Sequence, residues 1–154
     1  MKMKLLGCSL LIAVVPLLSS CVNDAASMQI DGKEHSISLV REQKWVWDRR
    51  VELSVVVSRM PHCQRRHHLK NSAINASGVE VYSPDFVLFY LKLGERIYLV
   101  ETNTCEGFRE LTSIPPSGLG PMLGEFADVR GRYFFEPNRD SRKQNEVTEK
   151  SGGR

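Results

Sequence analysis

Three imidazoles and a thiol crowd into one stretch of the chain, Pro61-His62-Cys63-Gln64-Arg65-Arg66-His67-His68. Two chemistries use those residue types. A metal site would converge a thiolate and neutral imidazoles in a tetrahedron, with His62, Cys63, His67 and His68 as the four donors. A thiol-dependent enzyme would pair Cys63, as nucleophile, with a histidine base. A Cys63 oxidised to a disulfide would be no nucleophile, and three features oppose the metal site. Adjacent His67 and His68 point apart in an extended chain, Arg65 and Arg66 repel a cation, and the spacing matches no compact zinc module. The expectation is a solvated polar loop that binds no metal, in a protein that is not an enzyme and carries no cofactor.

Other catalytic patterns are weaker. The chain has no Gly-x-Ser-x-Gly elbow, and Asp85, Glu95 and Glu101 fall at a turn or on strand faces without an obvious acid–base partner. Ser117-Gly118-Leu119-Gly120 and Gly124 superficially suggest a phosphate loop, but no strand leads into them and no Lys follows. Asn75-Ala76-Ser77 is a glycosylation sequon. The same region holds a basic cluster of Arg59, Arg65, Arg66, His67, His68 and Lys70, which could contact phosphates of an anionic component such as lipid headgroups, or an acidic protein.

The compartment is read from the N-terminus. Lys2 and Lys4 precede an almost uncharged run from Leu5 to Leu18, which ends in Ser19-Ser20-Cys21. Basic residues, an apolar run and small residues in that order are the layout of a secretory signal peptide. The run contains Pro16 and is shorter than the ~20 residues that span a bilayer core. Leu18-Ser19-Ser20-Cys21 resembles the lipobox of bacterial lipoproteins. The resemblance covers only these first residues and implies cleavage of 1–20, a covalent lipid on Cys21, and a mature protein held to a membrane. The resemblance further implies the outer membrane, facing the periplasm, because Val22 stands where lipoproteins retained in the inner membrane carry Asp; the inner membrane or the cell surface are other outcomes.

The charge balance changes with that cleavage. The whole chain has 21 Lys+Arg against 18 Asp+Glu, and losing Lys2 and Lys4 leaves 19 basic residues against 18 acidic ones, a net charge of +1. Nucleic-acid binding, which needs many phosphate contacts, finds no support there. Of the four cysteines, Cys8 lies in the leader and Cys21 would carry lipid, so Cys63 and Cys105 remain and are expected to pair in an oxidising compartment.

These residues must be positioned by strands. Residues 22–27 read as a short tether, Asp31-Gly32 as a hairpin turn, and His35, Ile37 and Leu39 as one face of a strand. Val51, Leu53, Val55 and Val57 repeat that pattern, as do segments in 79–82, 86–92 and 96–102. From Pro61 to Gly78 the chain reads as an irregular loop, and Met122–Val129 as a turn or two of helix before a last strand at 132–136. Trp45, Trp47, Tyr82, Phe86, Phe89, Tyr90 and Tyr98 are expected in core or edge packing. The expected fold is mainly β: a small antiparallel sandwich or partly closed barrel over 28–136, with six or seven strands, one disulfide, and a disordered polar tail at 137–154. The chain ends Gly152-Gly153-Arg154 without the Lys that wall-linked helical lipoproteins use. Thiol trapping of unreduced protein from the envelope, read by intact mass, should find Cys63 and Cys105 both blocked; two free thiols would reopen the metal and thiol-enzyme chemistries.

Overall fold

A computed structural model describes residues 22–74 and 78–139. The expected leader, Cys21, the sequon and most of the expected tail lie outside them. Among the described residues eleven strands form two antiparallel sheets. The first sheet runs β1 (Asn23–Asp31), β2 (His35–Glu42), β3 (Arg50–Arg59) and β4 (Cys63–His68), with the short β5 (Ser72–Ala73) also on β3. The second comprises β6 (Val79–Tyr82), β7 (Leu88–Leu93), β8 (Arg96–Glu101), β9 (Phe108–Leu111), β10 (Met122–Val129) and β11 (Arg132–Pro137), in the order β11-β10-β6-β7-β8-β9.

The period-2 pattern explains the core. Ile37 and Leu39 face inward beside Val55 and Val57, and Val79, Val81, Phe89, Leu91, Tyr98, Val100 and Phe126 meet them from the second sheet. Each large apolar side chain so buried contributes ~1.5–3 kcal/mol. The β7–β8 hairpin turns at Leu93-Gly94-Glu95, where Gly94 supplies the φ of +58° that its turn requires.

Three expectations are corrected. Residues 23–27 are strand, not tether: Ala26 and Met28 are buried against the core, and small residues are what a strand can pack closely. The stretch after Pro61 is largely strand as well. Its backbone pairs with β3 from Arg59↔Cys63 to Ser54↔His68, and an edge strand tolerates polar side chains on both faces. Met122–Val129 is strand β10, paired with β6 on one side and β11 on the other. The outer-strand pairing satisfies its backbone, and only Gly124 and Phe126 are fully buried along it. The count of eleven strands among the described residues exceeds the expected six or seven because β4, β5, β9 and β10 carry weak apolar alternation.

The sheets are tied at both ends. At the end where β2 finishes, Arg41 is 2% exposed and donates to Asp24 on β1 at 2.6 and 2.8 Å and to Asp128 on β10 at 3.0 Å. Its guanidinium also lies 3.9 Å from the centre of the Tyr133 ring on β11. Burial alone would lower the Arg41 pKa, but its hydrogen bonds to Asp24 and Asp128 prevail and hold it above its ordinary value. At the opposite end His35 Nε2 meets Thr102 Oγ1 at 3.0 Å. Burial, then the charge of Arg59, lowers the His35 pKa below 6.5, while Asp31 partly opposes them.

Replacing Arg41 by Ala leaves two carboxylates facing each other without their cation, and should cost about 2 to 4 kcal/mol in urea unfolding. His35 makes stability depend on pH. Because its folded pKa is depressed, the unfolded chain binds a proton first, so stability is lost as pH falls below 6.5. The unfolding midpoint should therefore drop on acidification through that value, and His35→Gln should flatten the drop.

Candidate functional site

The residues that the sequence singled out lie along edge strand β4 and the loops beside it. Cys63 and Cys105 form a disulfide, with 6.0 Å between their Cα atoms. It joins the start of β4 to the loop after β8, and so fastens the first sheet to the second. Cys63 is therefore not available as a thiolate. Below it, His67 Nε2 lies 2.8 Å from the Cys105 carbonyl and its ring stacks on Phe108 of β9, with 4.8 Å between centroids. His68 takes another partner, with Nδ1 3.1 Å from Ser54 Oγ on β3. His62 is exposed in the β3–β4 turn. The four candidate donors are thus spread over different partners, and among the described residues no three His, Cys, Asp or Glu side chains come together to hold a metal.

The basic residues of this region are paired one by one. Arg65 meets Glu106 at 2.8 Å, Arg66 meets Glu42 at 2.5 Å and Lys70 meets Glu110 at 2.9 Å. Arg59 donates to Asn103 Oδ1 at 3.0 Å. Sequence clustering put these cations in one patch; folding places an acid from elsewhere in the chain beside three of them, and the local field is correspondingly reduced.

The loop that carries Cys105 is built tightly. Glu101 accepts hydrogen bonds from the backbone of Asn103 and Thr104 and from Thr104 Oγ1. These outweigh burial and hold the Glu101 carboxyl below its ordinary pKa. They also support Cys105 in the left-handed region, at φ +61°, which costs a residue with a Cβ about 1 kcal/mol or more. Next to it, the loop from Ser83 to Val87 is locked in a similar way. Asp85 Oδ1 accepts from the N–H groups of Val87 and Leu88 at 2.8 and 2.7 Å, and Ser83 Oγ donates to the carbonyls of Asp85 and Leu88. The Val87 carbonyl accepts from the Thr102 N–H at 2.9 Å. Phe86, held between those bonds, is 88% exposed.

This corrects the expectation that the aromatic residues serve core or edge packing. Phe89, Tyr90 and Tyr98 do, but Phe86, Trp45 and Trp47 face solvent. A usable signal was present: Ser83-Pro84-Asp85 is a turn sequence, and an aromatic residue directly after such a turn sits where the chain reverses at the surface. An open cleft of 330 Å³ lies along β9, lined by Arg109, Glu110, Leu111, Thr112, Ser113 and Pro115. It is an open surface groove. The chain matches no family model, no curated protein and no solved structure.

The disulfide closes a separation of 42 residues, for which chain entropy gives about 4 kcal/mol. Cys63→Ser should lower stability by about that amount in urea unfolding. Arg65→Ala and Arg66→Ala should each change it by less than about 1 kcal/mol, because both pairs are solvent-exposed.

Proposed function

We propose that the chain is a membrane-anchored envelope lipoprotein whose β domain is a non-catalytic binding module for another envelope protein. The observation that carries this reading is Phe86. A bulky apolar side chain held out on an immobilised loop is hydrated at a free-energy cost in the free protein, and it loses little conformational freedom when it docks. Interface energy concentrates in such aromatic anchors. Around Phe86 the loops are cross-linked by the disulfide, by His35 on Thr102 and by Arg59 on Asn103, so the surface is pre-organised rather than shaped on contact.

Two features support the envelope setting. The lipobox resemblance at Leu18-Ser19-Ser20-Cys21 implies the anchor, and a disulfide joining two sheets suits an oxidising compartment outside the cytosol. Phe86 also sits at the end of the domain away from Val22, since β7 begins beside Glu101 and the His35–Thr102 contact, whereas β1 begins beside Arg41. A chain anchored at Cys21 would present Phe86 away from its own membrane. The partner is a protein with an apolar recess, and the basic strip on β4, already matched by acids, has a lesser part in the reading.

A photo-crosslinking residue at position 86, in cells, should give one discrete adduct, and the same residue at position 95 in the β7–β8 turn should not. Phe86→Ser should leave the unfolding midpoint within about 0.5 kcal/mol, as an exposed site allows. Equal smears from both positions, or no adduct at 86, would remove the binding surface. Intact mass of the membrane-extracted chain tests the anchor separately, and should show a protein beginning at Cys21 with added acyl mass.

A further inference from the structure

The end of the domain that holds Val22 carries a second exposed apolar feature. Trp45, Val46 and Trp47 occupy the tip of the loop between β2 and β3, at 56%, 47% and 75% exposure. The two indoles stack on each other, with centroids 5.3 Å apart and planes 16° from parallel. The loop is braced from below. Gln43 Nε2 donates to the Asp48 carbonyl at 2.5 Å and reaches the Val46 carbonyl at 3.5 Å. The Asp48 N–H bonds the Trp45 carbonyl at 3.0 Å, and Asp48 pairs with Arg50. The same Gln43 side chain accepts from the Val22 N–H at 3.0 Å, while the Gln43 N–H donates to the Val22 carbonyl at 2.8 Å. One residue therefore fastens the tryptophan loop to the peptide unit that follows Cys21.

Cations border this tip. Lys44, Arg49 and Arg50 flank it in sequence and are exposed, Lys44 and Arg50 paired with Glu52 at 2.7 Å and Asp48 at 3.1 Å. Arg41 brings the end of β10 to the same end of the fold through Asp128, and the turn that follows presents Val129, Arg130 and Arg132 to solvent. Paired aromatic rings surrounded by Lys and Arg suit the boundary between lipid headgroups and acyl chains, where an indole buries its ring and keeps its N–H wet. Anionic headgroups then face the basic rim.

We infer that Trp45-Val46-Trp47 is a membrane-docking loop, which inserts into the interfacial layer of the bilayer that holds the anchor and fixes the domain's orientation on it. The inference rests on the lipoprotein reading above. The occupant follows from the place of the anchor: an acyl group on Cys21 is one peptide bond from Val22, which Gln43 ties to this loop, and so delivers the bilayer surface to the end of the domain that holds it. A lipid anchor also makes the second contact intramolecular in effect, so three apolar residues suffice where they would bind poorly alone.

The test uses the fact that the chain contains only two tryptophans, so intrinsic fluorescence reports this loop alone. The full mature protein, extracted from membranes with its N-terminal mass determined, is reconstituted into vesicles of phosphatidylethanolamine and phosphatidylglycerol containing lipid brominated near the headgroup. Docking predicts emission shifted to shorter wavelength, strong quenching by bromine and protection from aqueous iodide. A protein that carries lipid and floats with the vesicles, yet keeps water-type emission open to iodide and untouched by bromine, overturns the docking loop and leaves the lipoprotein reading standing. A chain whose mass shows no lipid overturns the anchor instead. In that case the same vesicles are added to the unlipidated chain: bromine quenching supports the loop as an interfacial binder in its own right, and its absence refutes it.

Discussion

Two sheets packed face to face leave open edges, and everything else in this domain depends on how those edges are covered. No backbone ladder joins the sheets among the described residues, so side chains do the work. Along one seam β4 runs beside β9, with the disulfide at the top, the His67–Phe108 stack below it and Lys70 on Glu110 further down. Along the other, β1 meets β11 at the Arg41 cluster. The result lies between a sandwich and a closed barrel, and it explains why a small domain accepts a fully buried guanidinium. Desolvating a cation is expensive, but here two acids and an aromatic face meet it, and the three partners come from three strands in two sheets. One side chain thus specifies the register of an entire seam.

The same constraint accounts for the composition of β4. Read as a sequence, Cys63-Gln-Arg-Arg-His-His68 carries no apolar alternation and looks like a loop. In the fold it is an edge strand whose inward positions reach the neighbouring sheet through sulfur, guanidinium and imidazole rather than through methyl groups. Charged side chains on an outermost strand also discourage pairing with a second molecule.

Legibility followed burial. His35–Leu39, Val51–Val57 and the β7–β8 hairpin were readable because each has one face in the core and one in solvent, and the period of 2 survives in the residues. The Cys63–Cys105 link was readable by elimination once the other two cysteines were assigned to the leader and the anchor. The first half of strand β1 was hidden by its alanines and serine, which satisfy close packing and a linker equally well, whereas its end at Met28–Ile30 was readable as the first arm of the Asp31-Gly32 hairpin. Strand β10 was hidden by Gly124, which faces inward and leaves no side chain to mark the parity. The acids that neutralise Arg65, Arg66 and Lys70 were invisible because Glu106, Glu42 and Glu110 lie 41, 24 and 40 residues away in sequence. Trp45, Trp47 and Phe86 failed for a different reason: residue type gives a prior for burial, but turn chemistry on either side decides exposure.

That β1 begins at Asn23 has a mechanical consequence. Lipoproteins with long linkers can search a wide volume, and their reach scales with linker length. With the proposed anchor at Cys21 there would be no such slack, since Val22 is already bonded into the first sheet. The height at which Phe86 stood would then be set by strand length alone. Ten residues of β3, at ~3.3 Å each, make a rod of about 33 Å. The domain would work as a fixed spacer, meeting only partners whose binding surface comes within that distance of the lipid.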